Sequence, residues 1–214
     1  DLLEGAAAVP PPVGQVRLRL VRADGADLRA RSEVRASNVY ADLRGATACE
    51  LHTPEQRDAL VARLGPDPLR PDADPDRAWQ RIRRSRAPIA GLLMNQGVVA
   101  GIGNVYRAEL LHRHRVDPFR PGTSLGPNRW HAMWEDLVAL MADGVRTGVI
   151  RTVRSEDLTG AERNDDTARV SYVYRRAGEP CRRCGTRVRV RDLQGRRLYW
   201  CPKCQPRFRS RALQ

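Results

Sequence analysis

The spacing of apolar positions changes period along this chain. Val16, Leu18 and Leu20 alternate with Gln15, Arg17 and Arg19, and Asp24-Gly25 follows. A period of two ahead of a DG pair predicts a half-buried strand entering a hairpin. ADLRARSEVRAS and LRGATACEL read as further strand or edge segments, so residues 1–50 are expected to close a β unit. At Thr53-Pro54-Glu55-Gln56 the pattern turns helical, with Thr53 able to cap, Pro54 suited to the first helical position and Gln56 closing a capping box. Gly65 is expected to end that helix, and a second is expected from Asp74-Pro75, carrying Trp79, Ile82 and the basic run Arg81, Arg83, Arg84, Arg86. The clearest amphipathic helix covers 128–147, where Trp130, Met133, Trp134, Leu137, Val138, Met141 and Val145 recur at spacings of three and four and form a core face. Residues 148–170 lack sustained periodicity and read as a mobile loop or linker.

Between the second helix and the long one lies LLMNQGVVAGIGNVYRAELL, residues 92–111. Its glycines fit neither GxGxxG nor GxxxxGK[ST], and a helix-like run precedes them where a nucleotide loop has a strand. The better reading is helix, tight turns, helix: Gly101 and Gly103 permit left-handed or closely approached backbone, and Asn104 opens the next helix. The free amides at that helix start, with the Asn104 side chain, suit an anion.

Cys181, Cys184, Cys201 and Cys204 form CX2CX16CX2C. Two CX2C knuckles allow four thiolates to converge on one tetrahedral ion, and the segment between them reads as a hairpin turning at Leu193-Gln194-Gly195. One structural Zn2+ is expected, because a segment this small cannot bury enough surface to fold alone. A disulfide reading needs an oxidising compartment that nothing else supports, and Cys49 reads as an ordinary buried thiol. The hairpin tip, Gln194-Gly195-Arg196-Arg197, places guanidinium groups at the end of a rigid finger, although a solvated basic turn has the same composition.

Charge sharpens this picture. The 214 residues carry a formal net charge of +13, and of 38 basic side chains all but Lys203 are Arg. Residues 175–214 hold 13 basic and 2 acidic side chains, so the excess is local to the cysteine-bearing end. A polyanion is the natural partner, since each phosphate neutralised releases counterions; an Arg-rich genome bias is the alternative. No stretch approaches the roughly 20 apolar residues of a membrane span, and no signal-peptide pattern opens the chain. With Asp1 first, the chain reads as starting in the middle of a protein.

LLMNQGVVAGIGNVYRAELLHRHRVDP resembles the helix–two-turn–helix motif of the formamidopyrimidine-DNA glycosylase and endonuclease VIII family, with the endonuclease VIII branch the nearer. YVYRRAGEPCRRCG through QGRRLYWCPKCQ resembles that family's zinc finger, and LGPDPL at 64–69 a segment that follows its β domain. The resemblance implies an α+β fold: the remnant of an N-terminal β-sandwich over 1–50, a helix–two-turn–helix DNA-binding domain over 51–150, a loop over 151–173 and a zinc-finger β-hairpin over 174–207. It implies a base-excision-repair glycosylase and AP lyase acting on oxidised bases in double-stranded DNA, a monomer of the bacterial cytoplasm associated with the nucleoid.

Family chemistry uses an N-terminal proline amine as nucleophile, the adjacent Glu as proton shuttle and a Lys on a β loop. None has a counterpart here, so a complete chain starting at Asp1 is expected to form no imine and to act only as a damaged-DNA binder. A zinc-ribbon RNA-binding protein is a weaker alternative. Residue by residue, the resemblance implies phosphate binding by Asn104 beside Gly103, and a phosphate grip by Arg196 at the lesion, with a catalytic part in δ-elimination. It implies zinc ligation by Cys181, Cys184, Cys201 and Cys204. Asn95 replaces an acidic residue common in the family and Ala90 a phosphate-binding Lys, which shifts the expected DNA contacts toward the finger and Arg83, Arg84 and Arg86.

Overall fold

The computed structural model describes residues 10–21, 40–45, 49–165 and 169–209. They fall in two compact units, Asp1–Asp58 and Ala59–Gln214. In the first, strands β1 (Val16–Val21) and β2 (Tyr40–Arg44) pair antiparallel, with Leu18 opposite Leu43 and Arg19 opposite Asp42. Arg19 grips Asp42 through both carboxylate oxygens at 2.6 and 2.8 Å, and its guanidinium lies over the Tyr40 ring. The alternation correctly marks a strand, but Leu18, Leu20 and Leu43 are exposed and Arg19 is half-buried, the reverse of the expected facing. The Asp24-Gly25 turn and ADLRARSEVRAS lie outside the described residues, as do residues 46–48 of LRGATACEL. Cys49 is exposed, not buried.

Helix α1 (Pro54–Ala62) begins with the expected capping box: the Thr53 N–H donates to Gln56 Oε1 at 3.0 Å, and the Gln56 N–H donates to Thr53 Oγ1 at 3.3 Å. It ends at Ala62, three residues before Gly65. Gly65 serves a different purpose, donating its N–H to the Gln96 carbonyl at 2.8 Å; a Cβ there would sit 2.3 Å from the Val98 carbonyl oxygen. The glycine allows chain to cross chain, which is why it reads like a helix stop.

Helix α2 (Pro75–Ile82) is capped by Asp74, whose carboxylate accepts from the Asp76 N–H at 2.8 Å. The chain turns after Ile82, leaving Arg83, Arg84 and Arg86 exposed beyond the helix. Next come α3 (Ile89–Met94), α4 (Asn104–Arg113) and α5 (Pro127–Thr147). Trp130, Met133, Trp134, Leu137 and Met141 of α5 are buried as the spacing requires, whereas Val145 is exposed in the last turn. Gly148, left-handed at φ 71°, stops α5. Arg113 and His114 at the end of α4 close on Asp136 of α5 at 2.5 to 3.0 Å. Burial pushes that carboxyl up, but the hydrogen bonds from His114 and Arg113, with the charge of the guanidinium, outweigh it and hold it well below the usual carboxylate range.

The described part of 148–170, residues 148–165 and 169–170, is more built than a linker. Thr152 and Val153 are buried, a short 3-10 turn covers Ser155–Asp157, and α6 (Gly160–Arg163) carries a Thr159/Glu162 capping box. Local periodicity misses this because the anchors are single residues that pack on distant partners. Strands β3 (Arg189–Leu193) and β4 (Arg196–Trp200) form the expected hairpin. Its turn is Gln194-Gly195, both left-handed at φ 51° and 72°, the combination a two-residue type I′ turn needs. Leu198 of β4 is fully buried in the same core as α2, α3, α4 and α5, and Trp200 meets Phe119 edge-on, so the hairpin is bolted to the helices.

Candidate nucleic-acid interface and metal centre

The turns between α3 and α4 are set by two side chains. The Asn95 carboxamide oxygen accepts from the Gly97 N–H at 2.9 Å while its carbonyl accepts from Val98 and Val99. Gln96 then closes the second turn, accepting from the Gly101 N–H at 2.8 Å and donating to the Ile102 carbonyl at 3.1 Å. Gly101 is left-handed at φ 80°. Val98, Val99 and Ile102 are buried, so the apolar residues of the turn pin it into the core.

Gly103, not Asn104, is the residue that caps α4. Its backbone is extended, and a Cβ there would meet nothing within 4 Å, so the fold itself does not require glycine at this position. Asn104 is the first helical residue and joins two elements: its Nδ2 donates to the Arg197 carbonyl at 2.9 Å, and its Oδ1 accepts from Arg107. Gly103 and Arg196 line one cavity, and Asn104 bonds to the residue that follows Arg196. A cavity of about 720 Å³ opens between the α3–α4 turns and the hairpin tip, lined among others by Gly91, Gln96, Gly103, Arg107, Gln194 and Arg196. Arg83, Arg84 and Arg86 are exposed, and Ser85 and Ala87 of the same stretch line the cavity.

Three residues of α4 escaped the sequence reading. Tyr106 through His112 are all buried, although Arg107, Glu109 and His112 lie among them. The signal available was a ten-residue helix with no polar face wide enough to leave these groups in water. Arg107 is fully buried; its Nη2 donates to Asn104 and to the Arg197 carbonyl at 3.3 Å, while Nε and Nη1 have no partner. Burial, reinforced by the nearby Arg196, pulls its pKa down to about 10, which still leaves it charged at neutral pH. A buried guanidinium with two nitrogens left without partners, beside a helix N-terminus and in a cavity with a second guanidinium, suits an anion chemically.

Glu109 is also fully buried and staples α4 to the segment entering the finger. Its Oε2 accepts from the Tyr172 N–H and the Thr152 hydroxyl, both at 2.6 Å, and its Oε1 accepts from Val173 and Tyr174 N–H groups at 2.9 and 2.8 Å.

Beyond that staple, the sulfur atoms of Cys181, Cys184, Cys201 and Cys204 lie within 4.8 Å of one another, with Cys184 and Cys201 3.4 Å apart and Cys181 and Cys204 3.8 Å apart. Four thiolates about 2.3 Å from one tetrahedral ion stand roughly 3.8 Å apart, so these residues fit a metal ion. Burial pushes the Cys201 and Cys204 thiols up, and a bound cation is what would hold all four as thiolates together.

A helix–two-turn–helix whose N-terminal end faces an arginine-tipped cysteine hairpin defines a class of DNA-repair protein. The formamidopyrimidine-DNA glycosylase H2TH domain model matches residues 64–155. Endonuclease 8 1 of Mycobacterium tuberculosis H37Rv is 50% identical over 197 residues, covering 92% of this chain and 68% of that protein. Among solved structures, the MutM (Fpg) protein of Thermus thermophilus matches with a TM-score of 0.56 and 32% identity, over 71% of this chain and 57% of the other. Lactococcus lactis Fpg (MutM), solved with FAPY-dG-containing DNA, matches with a TM-score of 0.56 and 26% identity, over 71% and 54%. The chain belongs to the formamidopyrimidine-DNA glycosylase and endonuclease VIII family. It spans about two thirds of the curated relative's length and little more than half of the solved chains. Among the described residues, no helix is long and apolar enough to cross a membrane.

Proposed function

We propose that this protein is a base-excision-repair DNA glycosylase and AP lyase acting on oxidised bases, in which Ala59–Gln214 supplies the grip on duplex DNA. The observation that carries the DNA grip is Arg107, whose buried guanidinium keeps two nitrogens unpaired in the cavity where Gly103 and Arg196 meet. A backbone phosphate suits that cavity: Arg107 supplies charge from within, α4 supplies its free N-terminal amides and Arg196 closes from the hairpin tip. The open space over Gly103 lets a phosphate approach the backbone closely. Extruding a nucleotide from the duplex costs about a few kcal/mol, which phosphate contacts of this kind offset. Arg196 holds the phosphate at the lesion and assists its elimination. One Zn2+ on the four cysteines keeps that arginine rigidly placed, and the protein acts as a monomer at the bacterial nucleoid.

Arg196→Ala is expected to weaken binding to an abasic-site duplex by about tenfold or more, a charged hydrogen bond contributing roughly 1.5–3 kcal/mol, while metal content and helical signal stay unchanged. Fluorescence anisotropy at fixed salt checks it; equal affinity in the variant would show that the tip does not touch DNA. The chemistry is tested separately by borohydride trapping on abasic DNA. A covalent adduct with the complete gene product is expected, and none would remove the enzymatic reading while leaving the DNA grip intact.

A further inference from the structure

Arg107 faces the cavity and Glu109 holds the segment entering the finger, but His112, near the far end of the same helix, serves neither. Its ring is fully buried, its Nε2 lies 3.6 Å from Cys181 Sγ, and its Nδ1 has no hydrogen-bond partner. Tyr172 stacks on it with ring centroids 4.8 Å apart. Tyr172 is itself fixed, donating its hydroxyl to Asp157 Oδ2 at 2.5 Å and carrying the Arg183 guanidinium 5.0 Å from its ring centroid. The imidazole therefore has little freedom to turn.

We propose that His112 is a positioning residue of the metal centre, donating its Nε2–H to the Cys181 thiolate and so tying the first knuckle of the finger to α4. A metal-bound thiolate has no proton to give, so the contact is a hydrogen bond only if Nε2 carries the proton. That assignment leaves Nδ1 as a bare lone pair, the form its burial without a partner favours, since orphaned N–H groups are the rarer case. The four sulfurs already complete a tetrahedral set, so the imidazole belongs outside the coordination sphere. From there it disperses charge on one sulfur and fixes that sulfur's direction, as groups around a metal site commonly do. A phenylalanine could fill the same space and stack on Tyr172, but it would offer the sulfur nothing.

The test uses the zinc-loaded protein. His112→Phe is expected to weaken zinc about tenfold to a hundredfold in a chelator competition and to move the thiolate charge-transfer band of the cobalt-substituted protein to lower energy. His112→Gln, whose amide can place a donor near the former Nε2, should recover part of both. Wild-type zinc affinity and an unchanged cobalt spectrum in His112→Phe would overturn the proposal. Equal weakening in both variants would overturn it too, since a restored donor would then recover nothing. Nitrogen NMR of the wild-type metal-loaded protein gives an answer that needs no variant: the proton is expected on Nε2, and a proton on Nδ1 contradicts it.

Discussion

Cys201→Ser is expected to abolish metal binding and unravel the hairpin while the helical core survives. Cys201 is fully buried, with its sulfur 3.4 Å from Cys184 Sγ, and a serine hydroxyl does not replace a thiolate at neutral pH. Beyond Leu198, Tyr199 and the partly buried Leu193 and Trp200, the hairpin itself packs little: every residue of β3 except Leu193 is exposed, and Arg196 and Arg197 of β4 are exposed as well. Metal binding in small zinc modules contributes about 10–16 kcal/mol to folding, more than such a surface can replace. The loss should appear as absent metal by elemental analysis and rapid tryptic cleavage among Arg187, Arg189, Arg191, Arg196 and Arg197. Duplex affinity should fall with it, because Arg196 and the Arg197 carbonyl leave the cavity. One bound metal and a trypsin-resistant hairpin in the variant would refute this account of the finger. The core of α2 to α5 should keep its helical signal, since only Leu198 and the partly buried Leu193 and Trp200 of the hairpin belong to it.

Glu109→Ala is expected to cost about 3–5 kcal/mol, because it leaves several buried donors without their acceptor. The variant strands the N–H groups of Tyr172, Val173 and Tyr174, each buried donor costing roughly 1–3 kcal/mol when left unmade, while the Thr152 hydroxyl keeps the Val170 carbonyl at 3.2 Å. Glu109→Gln should also destabilise, because its NH2 faces donors where an acceptor is needed. Against a typical total of about 5–15 kcal/mol, either loss is large. Guanidinium denaturation of the metal-loaded protein measures it; a change under about 1 kcal/mol in Glu109→Ala would mean that water or a neighbour replaces the carboxylate.

Features that depend on local chemistry were legible from residues alone. The Thr53 capping box, the Asp74 start, the α5 face, the Gln194-Gly195 turn and the four cysteines each carry their own signal within a few positions. Where a residue answers to a distant partner, the local reading fails. Gly65 looks like a helix stop and is a crossing point with Val98; 148–170 looks like a linker and is held by Thr152 against Glu109. The site divides the same way. Gly103, Asn104 and Arg196 are named through motif and resemblance, whereas Arg107, Glu109 and His112 are single polar letters in NVYRAELLHR whose burial only the fold reveals.

The central claim is that the α3–α4 turns and the hairpin tip grip one phosphate together. A double-mutant cycle on abasic-duplex binding, pairing Arg107→Met with Arg196→Ala, tests it most directly. If both arginines hold the same phosphate, the two losses should be non-additive by about 0.5–3 kcal/mol. Strict additivity, or unchanged affinity in Arg107→Met, would contradict the shared grip.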